Sequence, residues 1–200
     1  MTAVYDEIIK KYGDGVVKTG SYLVDNPKDI ISVSPKIDLV LGGGIPVGSF
    51  VIFAGPPKFG KTLTALHFAG KAQKKGMNIH YCNIEGRIKS RDLLGIQGLD
   101  VSKVNIIESV KGKILSGQDY LSIARHLLNA DPRSVIILDS VSQITPESEL
   151  NKEDTDGAGR SAQGKMLAEF CRQICNVLPV NECIVICITH LHANTSGYGS

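Results

Sequence analysis

Hydrophobic positions along this chain fall into two periods. Short, nearly continuous apolar runs at residues 50–54, 78–84, 104–107, 135–138 and 183–188 are strand-sized. Between them lie stretches whose apolar residues return every three or four positions. These predict helices at 3–12 (Val4, Ile8 and Ile9 apolar), 34–41, 63–75 (Leu63, Leu66 and Gly70 on one face), 91–95, 119–129 and 162–178 (Leu167, Phe170, Ile174 and Val177 inward). Boundary residues agree with this division. Ser34-Pro35 opens one helix and Gly42-Gly43-Gly44 stops it, while Lys71, Lys74 and Lys75 precede the stop at Gly76. Residues 13–15 read as a turn, 16–18 as a short edge strand, 20–35 as a linker and 45–48 as a turn. Strands apolar on both faces, alternating with helices, imply an α/β fold. Its sheet is twisted, mostly parallel, and covered by helices on both faces.

Composition narrows the class. With 200 residues, 42% of them apolar and 21% charged, the chain suits one globular domain and excludes a disordered one. A net charge of only +2 means that nucleic-acid binding would depend on local basic patches. No apolar run reaches membrane-spanning length and residues 1–7 lack a signal-peptide core, so a cytoplasmic protein without a membrane partner is expected. The five cysteines, Cys82, Cys171, Cys175, Cys183 and Cys187, contain no C-x-x-C pair. They read as buried reduced thiols in preference to a zinc site.

One segment carries chemistry directly. Gly55, Pro56, Pro57, Lys58, Phe59, Gly60, Lys61 and Thr62 spell G-x-x-x-x-G-K-[ST] between a predicted strand and a predicted helix that begins at Leu63. Backbone N–H groups at such a loop and helix start favour an anion. Lys61 would reach the β- and γ-phosphates of a nucleoside triphosphate, and the Thr62 hydroxyl would hold Mg²⁺. Asp139 closes the apolar strand 135–138, where a carboxylate can hold the same Mg²⁺. Glu85 closes the strand 78–84. Parallel strands end on one side of a sheet, so Glu85 can stand near the γ-phosphate and activate water, or it can be a solvated loop residue.

Three further segments resemble the RecA recombinase family, including its phage UvsX branch. They are Glu7-Ile8-Ile9-Lys10-Lys11-Tyr12-Gly13-Asp14-Gly15, Ile37-Asp38-Leu39-Val40-Leu41-Gly42-Gly43-Gly44-Ile45-Pro46-Val47-Gly48 and Asp139-Ser140-Val141-Ser142-Gln143-Ile144-Thr145-Pro146. The resemblance implies a RecA-like P-loop NTPase core over residues 34–200. Residues 1–33 would then be an N-terminal element that docks on a neighbouring subunit. It also implies that Glu85 is the catalytic carboxylate and that His190, after the last strand, senses the γ-phosphate. Asn83 departs from the family's usual Asp-x-Glu pattern, and a histidine at 190 matches the phage branch. The family's first DNA loop maps to residues 153–164, with Arg160 and Lys165 as phosphate contacts. Its second opens after His190, with His192 and Asn194 as candidates. Arg91 is the candidate for stacking on the adenine. The implied activity is DNA-dependent ATP hydrolysis by a filament on single-stranded DNA that then pairs with duplex DNA. Family members continue with more core strands, so the chain reads as a fragment. A RecA-fold helicase or KaiC-like ATPase, and a regulatory paralogue without strand exchange, remain the other readings.

Overall fold

In a computed structural model of the chain, which describes residues 3–150 and 159–191, the five apolar runs become the strands of one parallel sheet. The chain starts with helices α1 (Ala3–Tyr12) and α2 (Gly20–Asp25), then strand β1 (Ile30–Ile31), helix α3 (Pro35–Leu41) and strand β2 (Ile45–Pro46). The nucleotide-loop unit comes next as β3 (Phe50–Gly55) and α4 (Lys61–Gln73), then β4 (Asn78–Asn83), α5 (Ser90–Leu94) and β5 (Val104–Ile107). The remainder is α6 (Gly117–Ala130), β6 (Ser134–Asp139), α7 (Glu147–Leu150), α8 (Gly159–Ile174), α9 (Val177–Val180) and β7 (Ile184–His190). The sheet order is β3-β7-β6-β4-β5, and β1 pairs antiparallel with β2 beside it.

Period-two alternation sorts each strand between two cores. Ile79 and Tyr81 of β4, Val135 and Ile137 of β6, and Ile184, Ile186 and Ile188 of β7 pack with Leu66, Phe68 and Ala69 of α4. Ile136, Leu138, Val185 and Cys187 face the other way, against Leu121, Ala124 and Leu128 of α6 and Phe170 and Ile174 of α8. All these residues are buried, each large one contributing about 1.5–3 kcal/mol. Register then places the functional edge. Asn83 lies opposite Asp139, Asp139 opposite Ile188, and Gly55 opposite His190, so the predicted site residues emerge at one end of the sheet.

The segment before β3 is fastened by side chains. Ser34 caps α3, its hydroxyl accepting from the Ile37 N–H, and Gly42 ends the helix at φ 70. Asp38 accepts from the Ser32 hydroxyl at 2.5 Å and the Val33 N–H at 2.7 Å, while Lys71 of α4 donates to Ser32 Oγ and the Val33 carbonyl. Just before β6, at the end of the strands away from Asp139, Arg133 donates to Asp29 at 3.0 Å and to Glu182.

Five expectations need correction. Residues 16–18 form no strand: they pair with no other strand among the described residues, and Thr19 just beyond caps a helix instead. That helix, α2, and strand β1 interrupt the supposed linker 20–35. Residues 45–46 are a strand that pairs with β1, and the turn is confined to residues 47–48. The helix expected at 162–178 is two helices, because Pro179 in a continuous helix would clash with the carbonyl at 175. In α9 it sits in the first turn, where the missing N–H is tolerated. Leu63, expected on the inward face of α4, is 50% exposed.

Candidate functional site

The loop between β3 and α4 turns on two left-handed residues, Lys58 at φ 66 and Gly60 at φ 79. Gly60 then N-caps α4 and supplies its carbonyl to Thr64. Lys61, the first residue of α4, folds back over the loop. Its ammonium donates to the Gly55 carbonyl at 2.9 Å and the Pro56 carbonyl at 2.8 Å, and lies 3.2 Å from His190 Nδ1. A cleft of 290 Å³ opens beside it, lined among others by Lys58, Thr62, Leu63, Tyr81, Glu85, Asp139 and His190. A smaller recess of 230 Å³ is shared by Lys58, Gly60, Lys61, Thr62, Leu63 and His190.

Two carboxylates anchor the cleft. Asp139 is 7% exposed, and its Oδ2 accepts from the Thr62 hydroxyl and the Tyr81 hydroxyl, each at 2.6 Å. Burial and the Asp139 charge push the Tyr81 phenol far above its ordinary value, so it stays a donor. A hydroxyl and a carboxylate side by side at the loop suit a hard cation whose other ligands are phosphate and water. Among the described residues no group of three or more His, Cys, Asp or Glu could hold a metal ion. The cysteines are free, but only Cys82, Cys183 and Cys187 are buried as expected; Cys171 is half-buried and Cys175 exposed, and burial raises the Cys82 thiol to about 12.

Glu85 is the second. Its Oε1 accepts from Ser140 Oγ at 2.5 Å and pairs with His190 Nε2 at 2.9 Å, while Oε2 faces Arg87 at 3.3 Å. Burial pushes this carboxyl up. The hydrogen bonds from Ser140 and His190, with the Arg87 charge nearby, outweigh that and hold it below the ordinary glutamate value. Asn83 shapes the turn that presents it: Oδ1 accepts from the Arg87 and Ile88 N–H groups, and Nδ2 donates to Glu108 at 2.6 Å. His190 is held from behind, its backbone N–H donating to Ser142 Oγ at 2.8 Å.

The structure therefore brings Lys61, Thr62, Glu85, Asp139 and His190 together, with Gly55, Pro56, Pro57, Lys58, Gly60 and Leu63 around them. Phe59, 77% exposed, lines neither recess. Arg91 also lines neither and pairs outward with Asp92 at 3.7 Å, because α5 turns its side chain to solvent. Lys165 is exposed on α8. The side chain of Arg160, the positions His192 and Asn194, and most of the expected DNA loops lie outside the described residues. Residues 159–164 of the first expected loop already belong to α8. Sequence reasoning missed Tyr81, Arg87, Ser140 and Ser142. The last two lie just after Asp139, a position that could have marked them, whereas Tyr81 reads only as a core aromatic.

Comparison with known proteins gives a consistent result. The family model of the RecA N-terminal domain matches residues 1–196. Protein RecA of Clostridium botulinum (strain Eklund 17B / Type B) is 33% identical over 187 residues, covering 92% of this chain and 51% of that protein. Protein RecA of Phytoplasma mali is 30% identical over 194 residues, 96% of this chain and 55% of that one. The mitochondrial DNA repair protein recA homolog of Dictyostelium discoideum is 30% identical over 194 residues, 96% and 41% respectively. The chain spans about half the length of the curated relatives it matches.

Proposed function

This chain belongs to the RecA family, and from that premise we propose that it is an ATP-dependent DNA recombinase, assembling on single-stranded DNA and then pairing it with duplex DNA. The observation that carries the reading is the convergence of Lys61, Thr62, Asp139, Glu85 and His190 on one cleft at the end of the parallel sheet. In this account the loop N–H groups and Lys61 hold the phosphates of ATP. Thr62 and Asp139 would hold Mg²⁺, with Tyr81 fixing the carboxylate, and the ion would supply neutralisation of the phosphate charge.

Glu85 accepts the proton of the water that attacks the γ-phosphorus. Its two oxygens are unequal in this. Oε1 is engaged by Ser140 and His190, whereas the partner of Oε2, Arg87, is 80% exposed and weakly held. Oε2 is therefore the working oxygen. The lowered pKa keeps it ionised at neutral pH.

His190 also supports placement in the phage UvsX-like branch. Arg160, Lys165, His192 and Asn194 are the proposed DNA contacts, and the proposed compartment is the cytoplasm of a bacterial or phage-infected cell. Residues 1–33 are proposed as the subunit-docking element and 34–200 as the ATPase core. Helices α1 and α2 support this: neither has a buried residue, and Val4, Tyr12, Leu23 and Val24 are all more than half exposed. The test is electron microscopy of the full-length protein with single-stranded DNA and an ATP analogue. Helical filaments that disappear in Lys61→Ala support the reading. Closed rings formed without DNA would support a helicase-like or KaiC-like ATPase instead.

A further inference from the structure

Lys61, His190 and Glu85 form one unbroken polar chain, and its donor–acceptor order fixes the protonation of the ring between them. The Lys61 ammonium carries only donors. It lies 3.2 Å from His190 Nδ1, so Nδ1 presents its lone pair. Glu85 Oε1 lies 2.9 Å from Nε2 and is an acceptor, so Nε2 carries the proton. The ring is thus neutral. A cationic ring would set a second N–H donor against the ammonium.

A bound triphosphate reverses what Nδ1 faces. Lys61 turns to the phosphates, and Nδ1 of His190, a residue that lines the same recess as Lys58, Gly60 and Thr62, then looks at an anionic oxygen with a lone pair of its own. Two lone pairs repel, and a proton on Nδ1 converts that repulsion into a charge-assisted hydrogen bond. The charges around the ring favour this uptake. Glu85 stays on Nε2, and Asp139 stands across the cleft. Lys61 and Lys58 are drawn to the phosphates, and Arg87 stays on the far oxygen of Glu85.

We propose that His190 discriminates a triphosphate from a diphosphate by taking up one proton, becoming an imidazolium that bridges the γ-phosphate and Glu85. This rests on the nucleotide site proposed above. The proton comes from solvent, no covalent bond changes, and it returns to solvent when the γ-phosphate leaves. Glu85 is then held by a cation while the triphosphate is present, so nucleotide state and the set of the catalytic carboxylate are linked through one side chain.

Calorimetry of the full chain tests this, titrating Mg²⁺ with a non-hydrolysable ATP analogue, and separately with ADP, in buffers of different ionisation enthalpy. The expected result is uptake approaching about one proton per site for the analogue above pH 7 and almost none for ADP. Affinity for the analogue then weakens as pH rises, by up to about tenfold per pH unit. His190→Gln, whose amide cannot titrate, should bind the analogue without that uptake. Nitrogen-15 NMR of the ring should show the Nε2–H tautomer without nucleotide and both nitrogens protonated with the analogue. Equal proton uptake in His190→Gln, or none in the wild type while the analogue binds, overturns the inference and leaves the nucleotide site standing. Failure of the wild type to bind either nucleotide overturns the functional proposal and this inference with it.

Discussion

Replacing Ser140 by alanine removes one buried hydroxyl from the cleft and leaves the backbone free to stay where it is. Ser140 is 0% exposed and gives Glu85 Oε1 a 2.5 Å hydrogen bond. A hydrogen bond to a charged group is worth about 1.5–3 kcal/mol, and the Glu85 side chain, 11% exposed, is shielded enough to feel most of it. At about 1.36 kcal/mol per pH unit, Ser140→Ala should move the acidic limb of ATP hydrolysis up by about one to two pH units. The direction comes from the chemistry. The carboxylate is the working form, and weakening its support lets it protonate at higher pH. Stability has the same sign. Glu85 lies below its ordinary value of 4.5, so its support stabilises the fold above that pH and is lost as pH falls through the lowered value. The variant should therefore melt about 3–12 °C lower at pH 7, with the gap closing on acidification. Thermal unfolding at pH 7 and pH 4, with a pH–rate profile at saturating ATP and Mg²⁺, measures both. An unmoved acidic limb in a folded variant, or a melting gap that is equal at both pH values, would refute the reasoning.

Other perturbations probe other links. Tyr81→Phe removes a 2.6 Å donor to Asp139 inside the core and should destabilise by about 1.5–3 kcal/mol, read by chemical denaturation. Gly44→Ala puts a Cβ 2.2 Å from the Ile31 carbonyl oxygen at φ 135, whereas Gly43→Ala at φ 124 meets nothing nearer than 3.8 Å. Both incur backbone strain of about 1–3 kcal/mol, but only Gly44→Ala should also part β1 from β2, lowering the melting temperature further. Arg133→Ala releases Asp29 and Glu182. These groups are more than a third exposed, so the loss of stability should be small and shrink in high salt.

Much of the fold was legible because the strands are apolar on both faces and the helices carry caps. Ser34-Pro35 and the Gly42 stop bound α3 as expected, and residues 104–107 form the predicted strand. The short elements near the N-terminus were not legible. Strand β1 is only two residues long and exists through pairing with β2, which no local pattern encodes. The break between α8 and α9 was written in Pro179, but the apolar period runs through it. In the cleft, the residues at motif positions or strand ends were anticipated, whereas the charged Arg87 was not. Tyr81 and Ser140 were missed because their roles lie in which atom they face across the sheet, and that depends on the register that sets Asn83 beside Asp139. Arg91 shows the converse: it carries a suitable side chain on a helix that turns it outward.

On the proposed function, this cleft hydrolyses ATP in a way that DNA controls. Hydrolysis by the full-length protein, measured with and without single-stranded DNA and repeated with Glu85→Gln, tests it most directly. Clear stimulation by DNA is expected, with a loss of about 100-fold or more in Glu85→Gln and ATP binding retained. A rate indifferent to DNA, or undiminished hydrolysis in Glu85→Gln, would contradict it.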